Sequence, residues 1–257
     1  MTSCYLMQNK IVLYTSIFGG YDGLLPQPEL KGIDRICFTD RPLQSRSWEV
    51  IQVKPVSSDP VRNSRFPKIL PHRFLSNYDI SIYIDGNYLV VGDLHQLIER
   101  YLLKSNIAIF DHNQTTGDRR NCLYKEFDAL IEMGKTGKFK DDPKIMHQQI
   151  QRYKDEGYPS DNGLIFGAAI LRRHNSPDVI EAMETWWMEL ENGSRRDQLS
   201  FNYAAWKVNL NYAFVDGDLR NNQWFYMIGI HRKDYFWKLF RYRLRRMLGI
   251  KKHDQIH

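Results

Sequence analysis

Cysteine is scarce: Cys4, Cys37 and Cys122 are the only three in 257 residues, an odd number at wide spacings. This excludes a disulfide framework and a cysteine-rich zinc site, and it favours a reducing compartment. Long apolar runs are also absent, and no stretch approaches the roughly 18 residues that would span a bilayer. The segment after Met1 to Asn9 has neither a basic flank nor a small-residue cleavage signal, so a cytoplasmic location is expected. There is no Walker loop, no Gly-x-Ser-x-Gly elbow and no Gly-x-Gly-x-x-Gly turn. P-loop, α/β-hydrolase and dinucleotide-dehydrogenase readings therefore lose their support. Most of the chain lacks excess charge as well. Nine Lys/Arg stand against two Asp in residues 232–257, leaving 27 basic and 28 acidic groups elsewhere, a balance of −1 behind a formal total of +6. A nucleic-acid-binding body needs a broad basic footprint, and none is present.

What is present alternates. Lys10 to Phe18 reads as a buried strand running into Gly19-Gly20, and Arg35 to Asp40 as a second. Trp48 to Val53 reads as a peripheral strand, and Ile80 to Ile84, Ile107 to Phe110, Gly163 to Leu171 and Tyr212 to Val215 as four more. Asp93 is placed to cap a helix with Leu94, Leu97, Ile98, Tyr101 and Leu102 on one face. Helical patterns follow over 121–134, 142–155, 176–191 and 196–208, whereas 54–64 is turn-rich and 65–77 is helical or irregular, broken by Pro67 and Pro71. Strands alternating with helices indicate an α/β fold with a mixed, largely parallel sheet, and in such sheets ligands bind beyond the carboxyl ends of the strands. Residues 1–231 form one domain in this reading and 232–257 a basic tail.

Chemistry-bearing residues collect at three places. Tyr83-Ile84-Asp85-Gly86-Asn87 ends an apolar strand in two oxygen-bearing side chains, suited either to a divalent cation with a diphosphate or to a plain Asp-Gly-Asn turn. Arg65, Lys68 and His72 fall near one face if their segment is helical, where they would meet a diphosphate or form a solvated basic face. Ser194 would cap a helix carrying Asp197 at its third position, and Asp197 then either completes the cap or serves an acceptor hydroxyl. Of eight histidines, His112, His174 and His231 lie where a metal ligand would, although ordinary hydrogen bonding is the usual role. Trp186-Trp187 reads as core packing with one indole turned outward.

Six segments recur in an order that resembles a known family: Tyr14 to Asp22, Cys37 to Asp40, Lys68 to His72, Tyr83 to Asn87, Ile170 to His174 and Ser194 to Phe201. Together they resemble the glycosyltransferase-like family that includes plant mucilage-related Golgi proteins and bacterial polysaccharide-locus proteins. The resemblance implies a GT-A-type nucleotide-binding sandwich, a nucleotide-sugar donor, and a divalent cation, Mn or Mg, held by an acidic motif that matches Asp85 and Asn87 here. Asn in place of the second acid removes one charge. The resemblance further implies that His231 is a metal ligand, that Thr15 and Tyr21 lie near the nucleotide base, and that Arg65 and Lys68 lie on the donor diphosphate. Asp197 is then the catalytic or substrate-positioning carboxylate, with Arg195, Arg196 and Gln198 on the acceptor side.

The function expected is transfer of a sugar from a nucleotide-sugar to a glycan or lipid-linked acceptor in polysaccharide or cell-surface glycan synthesis. The alternative is a non-catalytic nucleotide-sugar or carbohydrate-binding module on the same fold. From Tyr235 to Ile250, helical spacing aligns Trp237, Phe240, Leu244, Met247 and Leu248, with Lys238, Arg241, Arg245 and Lys252 largely opposite. Such a helix suits an anionic membrane surface, here the inner face of the cytoplasmic membrane; packing on the domain is the other reading.

Overall fold

A computed structural model describes residues 9–229 and 235–249. The boundary drawn between body and tail at residue 231, His231 itself and Lys252 lie outside them.

Seven strands form the main sheet: β1 (Ile11–Ile17), β2 (Ile33–Thr39), β3 (Glu49–Gln52), β4 (Ile80–Ile84), β6 (Ile107–Asp111), β7 (Ile165–Arg172) and β8 (Ala213–Val215). Their order is β3-β2-β1-β4-β7-β6-β8, and β7 alone runs against its neighbours. The mixed, largely parallel sheet expected from the alternation is therefore present. All seven residues of β1 and all five of β4 are buried, as strands covered on both faces should be. The half-exposed β3 lies at the edge.

Alternation along the strands supplies two cores. Leu13, Ile82 and Phe110 face helix α2 (Leu94–Tyr101) through Leu97 and Ile98. Val12, Tyr14, Tyr83 and Ile170 face α1 (Pro60–Ile69), α5 (Pro177–Asn192) and α6 (Phe201–Lys207). A third cluster joins α3 (Leu123–Thr136) to α4 (Pro143–Asp155) through Phe127, Met146 and Ile150. Asp93 caps α2 as its position predicts, accepting from the His95 amide at 2.8 Å.

Four local expectations are corrected. Helix α1 begins at Pro60 rather than Arg65, because Asp59 accepts the Val61 amide at 2.9 Å and Pro60 presets the first turn. Residues 196–208 do not form one helix: Asp197–Leu199 is a 3-10 turn and α6 starts at Phe201. Ser194 caps no helix because none starts there: its hydroxyl accepts the Arg196 amide at 3.1 Å and donates to Asp141 Oδ2 at 2.6 Å, while Asp197 turns toward cations instead of its own backbone. Trp187 does not point outward; both indoles are buried, Trp186 against Phe201 and Trp187 against Phe66 at 5.0 Å. A short second sheet, β5 (Tyr88–Val90) with β9 (Phe225–Met227), was not legible in strands of three residues. The C-terminal helix α7 (Phe236–Met247) lies within the expected 235–250.

Candidate functional site

The carboxyl ends of β1, β2, β4, β6 and β8 share one edge of the sheet. Asp85 follows β4 there. Beside it, α1 delivers Lys68, whose Nζ lies 2.6 Å from Asp197 Oδ2 and 3.7 Å from Asp85 Oδ1. Arg65, one turn earlier, brings Nε within 3.0 Å of the same Asp197 oxygen. Two cations and two carboxylates from three distant segments thus converge. His72, expected on the same face, does not join them: the helix ends at Ile69, and His72 and Arg73 both bond Glu184.

The supporting contacts explain how a lysine is kept at 2% side-chain exposure. Its ammonium lies 4.8 Å from the Tyr83 ring centroid. Gly167 of β7 leaves room: a Cβ there would sit 3.8 Å from Nζ and 3.1 Å from Ile165 Cδ1. The carbonyl of Lys68, near the end of α1, accepts from the Tyr14 hydroxyl at 2.9 Å and from Arg172 Nη2 at 2.7 Å. Arg172 is fully buried and also contacts the Ile69 carbonyl, so a cation satisfies the negative end of the helix. Trp186 Nε1 holds the Asp197 carbonyl at 2.9 Å.

Electrostatics fix the protonation states. Burial pushes the Asp197 carboxyl up, but Arg65, Lys68 and Arg196 together outweigh it and hold the acid well below the usual carboxylate range. Burial likewise works against the Arg65 charge, and Asp197 first among the nearby anions overturns that effect. The Tyr83 hydroxyl, kept protonated chiefly by burial and then by Asp85, donates to Asp85 Oδ1 at 2.8 Å. Tyr83, Tyr14, Arg172 and Trp186 were not singled out from sequence as supports for the site. A charged residue closing the apolar run Ile165 to Leu171 was the available signal for Arg172.

Asn87 has a structural reason for not being an acid. Its Nδ2 donates to the Gly229 carbonyl at 2.8 Å, which a carboxylate cannot do, while Oδ1 is buried with no hydrogen-bond partner among the described residues. That orphaned oxygen and the Asp85 carboxylate make a donor pair suited to a Mg- or Mn-type cation, which fills its shell from phosphate and water. Among the described residues no three His, Cys, Asp or Glu gather as a metal site. His174 is buried and bonds the Leu75 carbonyl at 2.9 Å, and His112 Nε2 lies 3.3 Å from Arg120, a poor neighbour for a metal.

The remaining candidates separate. Thr15 is fully buried within β1 opposite Cys37, whereas Tyr21 is 65% exposed beyond the Gly19-Gly20 turn. That turn needs glycine, with φ of 64° and 61°, and the Arg41 guanidinium lies so close to Gly20 that a Cβ would meet it at 2.3 Å. Arg195 reaches Asp59 and the Lys140 carbonyl, tying the entries of α1 and α4 together. Arg196 Nε and Gln198 Nε2, flanking Asp197, are buried donors with no hydrogen-bond partner among the described residues. Farther along the edge, Arg120 pairs with Glu126 at 2.7 Å and with Asp118, which also meets Arg220 at 3.3 Å.

Residues 37–221 match the family described as TOD1/MUCI70, glycosyltransferase-like domain. The chain is 31% identical over 196 residues to the probable hexosyltransferase MUCI70 of Arabidopsis thaliana, covering 68% of this chain and 31% of that protein. It therefore spans about a third of the length of that curated relative. Among solved structures, the apo WbbM bifunctional glycosyltransferase aligns over 92% of this chain and 45% of its own, with 10% identity and a TM-score of 0.45.

Proposed function

Because the chain belongs to the TOD1/MUCI70 glycosyltransferase-like domain family, we propose that it transfers a hexosyl group from a nucleotide-sugar donor to a glycan or lipid-linked acceptor, on a GT-A-type fold. The product in this reading is a polysaccharide or cell-surface glycan. The observation that carries it is the position of Lys68, buried at the sheet's carboxyl edge and shared between Asp197 and Asp85.

A departing nucleoside diphosphate gains negative charge as the bond from the sugar's anomeric carbon to the phosphate oxygen breaks. Fixed cations aimed at that charge lower the barrier without reorganising water. Lys68 and Arg65 are such cations, held by Asp197 before donor arrives. Asp197 is then a positioning residue: a carboxylate facing two cations and held below its usual range is a weak proton acceptor. Asp85, oriented by Tyr83, and the Asn87 amide oxygen would hold a divalent cation, which supplies further neutralisation of the leaving diphosphate. Arg196 and Gln198 offer unspent donors to the sugar or acceptor hydroxyls.

The test is a donor-hydrolysis screen of purified protein against nucleotide-sugars with Mn or Mg. Release of nucleoside diphosphate from at least one donor, reduced about a hundredfold in Lys68→Ala, is expected. Absence of both turnover and donor binding across the panel overturns the reading.

A further inference from the structure

Helix α7 carries two unlike apolar faces. The first is anchored to the body. Leu239 is buried, Tyr242 stacks on Tyr226 with centroids 4.8 Å apart and planes 26° apart, and the Tyr235 hydroxyl donates to Asp22 Oδ1 at 3.0 Å. The second is turned to solvent: Trp237 is 67% exposed, Phe240 51%, Met247 78% and Leu248 64%, with Leu244 beside them at 39%. At roughly 100° per residue these five side chains fill an arc about 100° wide. The Trp237 and Phe240 rings meet edge-on at 6.2 Å, so the face is a formed patch rather than scattered side chains.

Its borders are cationic. The helix Phe236–Met247 contains Lys238, Arg241, Arg243, Arg245 and Arg246 and no acid. The exposed Arg241 and Arg245 border the arc on one side, rather than lying opposite it as expected from sequence, and Arg243 borders it on the other. We propose that this face is a docking surface for an anionic lipid membrane, with α7 lying in the plane of the interface. Its apolar side chains enter the acyl boundary, and the arginines reach lipid phosphates along both borders.

Charge selects the occupant. A second copy of the chain would bring the same three border arginines, and no acid from the helix, against the first, where like charges repel. An anionic bilayer meets both requirements of the face at once, an apolar interior beside a negatively charged surface. The placement also has a consequence that rests on the glycosyltransferase reading. Asp22, bonded to the first residue before α7, lies beside Gly86, where an added Cβ would be 3.6 Å from Asp22 Cβ. The docked helix is therefore rooted at the sheet edge that carries Asp85, where a lipid-linked acceptor would be presented.

The experiment is flotation of the full-length protein with vesicles of phosphatidylcholine alone or with roughly a third phosphatidylglycerol. Binding to the anionic vesicles only is expected, weakening as salt is raised. Trp237→Ser with Phe240→Ser, and separately Arg241→Glu with Arg245→Glu, should each lower the bound fraction about tenfold while leaving the unfolding midpoint and soluble-donor hydrolysis unchanged. Equal binding to neutral vesicles overturns the proposal, as does unchanged flotation of both variants. So does a wild-type dimer in light scattering that the Trp237 variant converts to monomer. Flotation needs no substrate, so its failure and failure of the enzymatic reading are separate results.

Discussion

Lys68 Nζ sits 2.6 Å from Asp197 Oδ2, a buried ion pair between residues from opposite halves of the chain. The pair gives the site a resting state: the carboxylate keeps the lysine side chain aimed in a place where water is scarce. A phosphate group arriving at the edge would find a cation already desolvated and directed.

Breaking that pair is expected to be costly. Asp197→Ala should lower unfolding free energy by about 3–5 kcal/mol, because Lys68 and Arg65 would lose the carboxylate they share and Lys68 would keep only Asp85, at 3.7 Å. Urea denaturation at neutral pH checks this; a loss under about 1 kcal/mol would show that the pair is solvated.

The same carboxylate predicts a pH dependence. Its folded pKa is depressed, so its stabilisation is present above the ordinary aspartate range, near pH 4, and is lost as the pH falls through and below it. Wild-type protein should therefore lose more stability between neutral and strongly acid pH than Asp197→Asn, measured by the same denaturant titration.

His112 acts in a higher window. Burial, and then Arg120, hold its pKa down to about 4 from the ordinary 6.5. Between those values the unfolded chain binds a proton that the folded protein refuses, so stability falls as pH drops across the window. His112→Gln should flatten the part of that slope this ring contributes, and an unchanged slope would assign it to other groups, His174 among them.

Asn87→Asp would create an acidic pair with Asp85 at a structural cost. It replaces the donor that meets the Gly229 carbonyl with a second acceptor, and about 1–3 kcal/mol of destabilisation is expected. Thermal unfolding of the variant measures it; an unchanged midpoint would mean the amide contact contributes nothing.

Arg172→Met removes the cation that holds the Lys68 and Ile69 carbonyls. Donor KM should rise and stability should fall, because the Ile69 carbonyl loses its side-chain donor and the Lys68 carbonyl is left with the Tyr14 hydroxyl alone. Wild-type KM in a folded variant would dissociate Arg172 from the placement of Lys68.

The sheet was legible from sequence because β1 and β4 are continuous apolar runs, and burial on both faces demands such runs. The start of α2 was legible because an Asp before an apolar stripe is a local signal with a local cause. The region around Asp197 was misread for the opposite reason: Lys68 and Arg65, more than a hundred residues away, take the carboxylate that local capping rules assign to the helix start. Arg65, Lys68 and His72 read as one basic face, yet their division between Asp197 and Glu184 depends on where α1 ends. Tyr14, Tyr83 and Trp186 look like ordinary core aromatics in sequence, and their hydroxyl and indole contacts to the site are products of the fold alone.

Titration calorimetry with uridine and guanosine diphosphates in the presence of Mn, on wild type and Lys68→Ala, addresses the central claim most directly. Saturable binding of at least one diphosphate by wild type is predicted, weakened about tenfold or more in the variant, with the matching monophosphoryl-free nucleoside indifferent to the change. Equal diphosphate affinity in the two proteins, with the variant folded, would contradict the assignment of Lys68 as the cation that meets the leaving group.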